Sequence, residues 1–478
     1  MSRWYRVAAC AAALALVGCG VGTRVGPAYV PPPLATGVAA PPLVSATAPA
    51  YAADTVRSAW WRLYEDATLD TLVGQAFAAN ADLRVAAATL ERALAVLREA
   101  GGARQPSLDA SGSVARTRSS GAAQGKDAAL PTVTAFDVGL SASYQVDLFG
   151  RVSRTLEAAR ADVGAVRGAV DVVRITVAAE TARAYADACV AGYQLDVATR
   201  TVRLQEESLR LTERLRAAGR LGALDVTRSR ALLAQARTAL PPLEAQRRAA
   251  LFRLAVLTGR PPAEAPVQVL ACHTPPRLAS VIPVGDGAGL LRRRPDVRAA
   301  ERRLAAATAR IGVATADLYP SVSLGASVGT SALDAGELGT SPSFRFSLGP
   351  LIRFSIPNTG VARARIAQAE ASTKGALADF DRTVLGALRD TETALAAYAH
   401  ELDRNAELRT ARDESAEALR IARRLQAAGA AGSLDVLDAE RSLASAEAAL
   451  AASDGLLSTE QIAIFLALGG GWEVPAGR

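Results

Sequence analysis

The chain has 478 residues, half of them hydrophobic but only 5% aromatic, and a formal net charge of +7. That positive balance is almost all arginine, because Lys126 and Lys374 are the only lysines. Arginine scattered among Glu along helical stretches reads as a solvated, ion-paired face, and it excludes the clustered basic stripe of a nucleic-acid binder.

The N-terminus reads as an address. Arg3 and Arg6 precede an apolar stretch from Val7 to Val17, which has the length of a signal core and is too short to span a bilayer as a helix. It runs into Leu16-Val17-Gly18-Cys19, which resembles a bacterial lipobox. Residues 1–18 are therefore expected to be removed as a signal peptide, leaving Cys19 to carry covalent lipid; no other cofactor is expected. Gly20 stands where an inner-membrane retention signal would place aspartate, so outer-membrane sorting is expected. Removing 1–18 discards Cys10 and leaves Cys189 and Cys272 in an oxidising compartment. There they can form a disulfide or remain two buried thiols, and the sequence leaves both open.

Residues 19–60 form an extended, lipid-anchored segment, because Pro31-Pro32-Pro33 and Pro41-Pro42 prevent helix nucleation. A first structural repeat follows over 61–265. Its Asp66–Leu97 stretch has helical periodicity and is stopped by Gly101-Gly102. The period then falls to two in strands predicted at about 106–118 and 136–148. From Phe136 to Leu148 every even position is apolar and every odd one polar or Gly. After an inter-repeat linker at 266–288, a second repeat over 289–474 carries the same alternation at about 320–330 and 343–356.

Each alternating run reaches about ten residues, enough for a tilted strand to cross a bilayer. A soluble amphipathic sheet would alternate identically. The lipid anchor, and the lack of any helix apolar enough to cover these faces, favour membrane strands. Four strands cannot close a membrane barrel, since an open edge in lipid leaves backbone groups unpaired. The chain must therefore meet copies of itself, and a symmetric ring is the natural closure. The alternation does not choose between two, three or more copies.

The rest reads as helix. Val152–Ala218 contains no proline and would extend roughly 100 Å at 1.5 Å per residue. Leu195, Val202 and Leu209 recur at seven, as do Leu204, Leu211 and Ala218, so two apolar stripes face neighbours on both sides. The chain then reverses and returns from Asp225 to Leu257. The second repeat goes out over Val361–Ala428 and back over Leu434–Leu468. Pro241-Pro242 should break the first return helix, whereas Ala451-Ala452 stand at the matching place in the second. The two reversals align at a constant offset of 210 (424 − 214). Arg214-Leu215-Arg216-Ala217-Ala218-Gly219 leads to Leu224-Asp225-Val226, and Arg424-Leu425-Gln426-Ala427-Ala428-Gly429 leads to Leu434-Asp435-Val436. Nearer the repeat starts, Asn80-Ala81-Asp82 aligns with Arg294-Pro295-Asp296 at an offset of 214 (296 − 82). So long a period marks a duplicated unit rather than a solenoid.

Within this frame stand Val25-Gly26-Pro27-Ala28-Tyr29, Trp61 with Asn80 and Asp82-Leu83, and Leu291-Arg292-Arg293-Arg294-Pro295-Asp296-Val297. Ala300-Glu301, Tyr319-Pro320 and Leu468-Gly469-Gly470-Gly471-Trp472 complete the set. Together they resemble the TolC-like outer-membrane efflux channels, specifically their lipoprotein branch of OprM- or NodT-type outer-membrane factors, over the whole mature chain. The resemblance implies a mainly α fold with a membrane β part. It implies four barrel strands per chain, a homotrimeric 12-stranded β-barrel and a long periplasmic α-helical coiled tunnel. It also implies partnership with a periplasmic membrane-fusion adaptor protein and an inner-membrane pump of the resistance-nodulation-division (RND) type.

By the same resemblance, Arg214, Leu215 and Gly219 with Arg424, Leu425 and Gly429 match the tunnel tips where the adaptor docks. Their glycines also have a purely structural reading as helix C-caps. Leu434 and Asp438 match the periplasmic gate, one an apolar ring and the other an anionic ring on the closed axis. Asp438 can instead be a surface charge paired with Arg441. The first repeat has Arg228 at the position of Asp438, so any acidic ring comes from the second repeat alone.

The two histidines, His273 and His400, lack the spacing of a metal site or a catalytic triad, and no enzymatic activity is expected. The function expected is a passive outer-membrane exit channel for drugs or other toxic small molecules. The alternatives are a duct for type I protein or peptide export and a non-conducting, lipid-anchored coiled scaffold.

Overall fold

The computed structural model describes residues 24–32, 43–54, 59–120, 122–125, 127–278, 281–354 and 359–470. Cys19 with the signal segment, and the Gly471-Trp472 end of the last motif, lie outside the described residues. The chain divides into two compact units. The first takes Met1–Pro31, Leu90–Val166 and Ala300–Phe380; the second takes Pro32–Thr89, Arg167–Ala299 and Asp381–Arg478. In chain order the main elements of the first repeat are β1 (Tyr51–Ala52), α1 (Ala67–Ala79), α2 (Ala81–Gly102), β2 (Ser107–Thr117), β3 (Val133–Val146), α3 (Arg151–Ala217), α4 (Ala223–Thr238) and α5 (Leu240–Leu257). The second half contributes β4 (Ile282–Pro283), α6 (Gly287–Arg293), α7 (Pro295–Ala316), β5 (Ser321–Ala332), β6 (Phe344–Arg353), α8 (Thr359–Ala427) and α9 (Ser433–Ala467).

The first unit holds a four-stranded antiparallel sheet in the order β2-β3-β5-β6. Side chains of a strand alternate between faces, so the register fixes what each face carries. Leu108, Ala142, Ala326 and Leu348 form one row across all four strands, and Ala110, Leu140, Val328 and Phe346 form the next. The row between them, on the opposite face, is Asp109, Ser141, Ser327 and Ser347. One face is thus apolar over the middle of the strands, with Arg116, Thr134 and Thr330 toward its loop end, and the other is mostly Ser and Gly. The apolar face has no cover: Phe346 is 76% and Leu348 82% exposed. β2 and β6 each have only one strand neighbour, so each leaves an unpaired edge. Among the described residues, no helix is long and apolar enough to cross a membrane. β3 begins earlier than its alternation indicates, because Val133, Thr134 and Ala135 continue the pairing with Thr117, Arg116 and Ala115.

Strand gives way to helix through side-chain caps. Asp147 accepts from the backbone N–H groups of Val152 and Ser153, both at 2.8 Å, which satisfies two open donors at the start of α3. Phe149 stacks on Tyr319 at 4.5 Å between ring centroids, and Asp317 takes Arg151 at 2.6 Å and Arg365 at 3.2 Å. The Val25–Tyr29 motif is docked here as well. Arg154 donates to the carbonyls of Val25 (3.3 Å) and Gly26 (3.2 Å), and the Tyr29 hydroxyl bonds Glu301. Gly26 has φ of +82°, and a Cβ there would come within 2.5 Å of Gly312 Cα, so only glycine fits.

The second unit has an aromatic core. Trp60 is fully buried and stacks on Phe465 at 4.8 Å, with Leu69, Leu72, Leu254 and Leu468 around it. Asp66 caps α1 through the N–H groups of Thr68 (2.8 Å) and Leu69 (3.1 Å), and it accepts from Tyr185 at 2.6 Å. A two-residue parallel pairing of β1 with β4 ties the N-terminal segment to the linker. Cys189 and Cys272 are joined by a disulfide with Cα atoms 4.9 Å apart. It fastens the linker to α3 where Gly192 leaves room for the Cys272 carbonyl.

The Asp66–Leu97 helix read from periodicity is two helices, and this is a correction. Asn80 takes extended backbone, its Oδ1 caps Asp82 (2.9 Å) and Leu83 (3.3 Å), and its Nδ2 donates to the Leu257 carbonyl. The second repeat breaks at the equivalent Arg294, which Pro295 forces out of helical geometry. At Pro241-Pro242 the return helix is interrupted at Ala239, whereas α9 runs unbroken from Ser433 to Ala467.

Near each reversal an ion pair clamps the outgoing helix to the return helix, and these two pairs are charge-swapped. Glu213 bonds Arg230 at 2.7 Å in the first repeat, and Arg423 bonds Glu440 at 2.9 Å at the same positions of the second. The first pair is well exposed, but the Glu440 side chain is 1% exposed and its Oε2 has no partner. Arg423→Glu therefore leaves a buried carboxylate uncompensated, a loss of about 3–5 kcal/mol. Glu213→Arg should cost under about 1 kcal/mol. Denaturant titration of the two variants and of the swapped Arg423→Glu/Glu440→Arg double variant checks this: the double should recover most of the loss. Equal losses in the two single variants would contradict the role of burial.

Candidate functional site

The two reversals are near-copies in geometry as well as sequence. At the end of α3 the N–H of Arg220 bonds the carbonyl of Leu215 (2.9 Å), and at the end of α8 the N–H of Ala430 bonds that of Leu425 (2.8 Å). This six-to-one bond around a left-handed residue is the Schellman closure, with Gly219 at φ +73° and Gly429 at φ +76°. A Cβ on either glycine would meet nothing within 4 Å, so glycine is required for its backbone and not for internal packing. Each return helix opens with an aspartate that bonds back to a glycine N–H: Asp225 to Gly222 at 3.1 Å and Asp435 to Gly432 at 2.9 Å. These bonds satisfy donors that would otherwise be open at the helix start.

The residues expected to contact an adaptor are brought together at these ends. Arg214 and Arg424 are exposed, Leu425 is 45% exposed and Leu215 is half-buried. Leu224 and Leu434 are bare at 60% and 51%. Isolated exposed leucines are ordinary, but several on two matched turns form an apolar tip.

Leu434 and Asp438 lie one helical turn apart on α9, so they share a face. Asp438 bonds Arg441 at 2.8 Å, with both side chains at least 60% exposed. Within one chain this is a solvated i, i+3 pair worth a few tenths of a kcal/mol.

One residue pair was not anticipated. Ser433 donates to Asp225 Oδ1 at 2.7 Å and so bridges the turns of the two repeats. The bonds from Ser433 and then from the Gly222 N–H hold the Asp225 carboxyl below its ordinary range. Because the folded pKa is lowered, the bridge is fully present above the ordinary carboxylate pKa and is lost only as pH falls through the depressed value. Its signal was legible: Ser433 supplies a hydroxyl where the first repeat has Ala223.

Farther along the same helices, Asn405 donates to Asp454 (2.9 Å) and to Ser453 (3.0 Å), and Arg404 bonds Glu401 at 2.9 Å. The Asn405 bonds tie α8 to α9, while the half-exposed Arg404 pairs within α8. His273 bonds Asp196 at 2.8 Å beside the disulfide, in a structural arrangement. Among the described residues no group of His, Cys, Asp and Glu could hold a metal ion.

A sheet with one bare apolar face, joined to long paired helices that end in open turns, defines a subunit of an outer-membrane channel. The family described as "Outer membrane efflux protein" matches residues 72–260 and 289–470, which covers most of the chain in two repeats. The chain belongs to this family of outer-membrane efflux channels. It is 29% identical to Nodulation protein T of Rhizobium leguminosarum bv. viciae over 98% of this chain and 94% of that one. It is 30% identical to the Cation efflux system protein CusC of Escherichia coli O6:H1 over 96% and 97%. Among solved structures, the outer-membrane channel OprN superposes with a TM-score of 0.88 at 36% identity, covering 94% of this chain and 99% of that one.

Proposed function

We propose that three copies of this chain close a 12-stranded barrel and form the exit duct of a tripartite efflux system. The duct passively conducts drugs or other toxic small molecules. The observation that carries this reading is the sheet of the first unit, with its uncovered apolar face and two unpaired edges. In lipid the apolar face needs no other cover, and pairing β6 of one copy with β2 of the next satisfies both edges. Threefold closure gives the strand count that the family resemblance implies.

The turns around Gly219 and Gly429 receive a periplasmic adaptor, which links the duct to an inner-membrane pump of the RND type. Their bare leucines and arginines offer an apolar surface with a cationic rim. Leu434 and Asp438 close the periplasmic end. In a threefold ring the Asp438 carboxylates crowd one another, so the constriction attracts cations. The first repeat places Arg228 at the matching position, so the anionic ring is drawn from the second repeat only. Cys19 carries the lipid that anchors the N-terminal segment.

Reconstitution in planar bilayers tests the function directly. Purified protein should give discrete channel openings, and assembled protein without any conductance would contradict the duct. Lipidation has a separate test. Cys19→Ala should reduce membrane anchoring more than folding, because one acyl anchor is lost while the barrel remains. Fractionation showing full membrane recovery and unchanged efflux would make the lipid dispensable.

A further inference from the structure

The polar face of the sheet is a carpet of serine and glycine with one charge pair near its loop end. Arg345 of β6 lies in register with Gly329 of β5, and Gly329 with Gly139 of β3. Asp137 sits two residues from Gly139 on the same face. The Arg345 Nη2 donates to both carboxylate oxygens of Asp137, at 2.7 and 2.8 Å. The contact skips a strand. Neighbouring strands lie ~4.8 Å apart, so the guanidinium must cross β5 at nearly full extension. It can do so because Gly329 and Gly139 put no side chain in its path: a Cβ on Gly139 would come 3.5 Å from Nη2. The side chain therefore lies flat along the wall.

We propose that Asp137 holds Arg345 against the barrel wall, and that this pair sets the ion preference of the duct near its outer mouth. The inference rests on the barrel reading given above, in which the polar face lines the lumen. The pair keeps the wall locally neutral. Its members are 47% and 33% exposed, and ion pairs this open contribute little to stability, so electrostatics of the lumen is the larger consequence. Of the other charges in register on this face, Asp109 lies three strands from Arg345 and one row nearer the helices, and Arg353 stands at the far end of β6. With Asp137 neutral, three guanidinium groups per ring are freed to swing into the lumen. With Arg345 neutral, three carboxylates remain. Rings of like charge in a pore select the counter-ion.

The test is the reversal potential of reconstituted channels in a potassium chloride gradient at low ionic strength, where charges are least screened. Asp137→Asn should raise the chloride-over-potassium permeability ratio about two-fold, and Arg345→Gln should lower it about two-fold. The Asp137→Asn/Arg345→Gln double variant should return to the wild-type ratio, with the heat resistance of all three assemblies unchanged. Conducting channels whose ratio does not move in either single variant would overturn the inference and leave the duct standing. Assembled wild-type protein that never conducts would overturn the duct, and this inference with it.

Discussion

Val328→Arg should abolish assembly of the membrane-inserted protein, whereas Ser327→Arg, one residue away, should be tolerated. Val328 lies well inside β5 on the apolar face, between Leu140 and Phe346. An arginine near mid-bilayer on a barrel's lipid face costs about 2–4 kcal/mol. Three copies in one ring raise that to roughly 6–12 kcal/mol, comparable to the whole stability of a typical domain. Ser327 lies on the opposite face and bonds only Ser347, at 2.8 Å, so its replacement loses one exposed hydrogen bond. Outer-membrane fractionation with unheated gel electrophoresis reads both outcomes. In a sheet bathed by water, Val328 at 42% exposure would accept arginine as readily as Ser327 does. Equal tolerance of the two variants would therefore contradict membrane strands.

Asp438→Ala should raise the conductance of the closed channel several-fold while leaving stability nearly unchanged. The Asp438–Arg441 pair is exposed, and its loss costs a few tenths of a kcal/mol. In the gate ring proposed above the effect is larger, because three carboxylates, and any cations they hold, leave together. Arg228→Ala alters the matching position of the first repeat and should leave the closed conductance as it is. Single-channel recording at fixed voltage distinguishes the two. A closed state unchanged by Asp438→Ala would remove this residue from the gate.

Periodicity made the sheet and the long helices legible. Strict alternation over Phe136–Leu148 and over the second repeat separated apolar from polar faces, and the sheet register aligns those faces across four strands. The reversals were legible because glycine after a helix end has a specific backbone cause, which Gly219 and Gly429 display. The break at Asn80 was missed because Asn is compatible with helix in composition, and only its caps onto Asp82 and Leu83 reveal the interruption. At the equivalent place in the second repeat, Pro295 announces it.

Two features needed spatial information or closer use of the repeat. The disulfide between Cys189 and Cys272 depends on a linker passing over Gly192, a proximity that spacing cannot give. The charge-swapped clamps follow from the offset of 210, at which Glu213 and Arg230 map onto Arg423 and Glu440. The swap also bears on assembly. Pairing the outgoing helix of one repeat with the return helix of the other would set Glu213 against Glu440, or Arg423 against Arg230. Both mispairings are repulsive, which favours each hairpin closing on itself.

Native mass spectrometry of the purified particle in detergent reads the number of chains that close the sheet. Three chains per particle are expected, persisting without an adaptor or pump, because the edges of β2 and β6 are satisfied only by neighbouring copies. A stable, folded single chain with β2 and β6 protected from hydrogen exchange would contradict this closure.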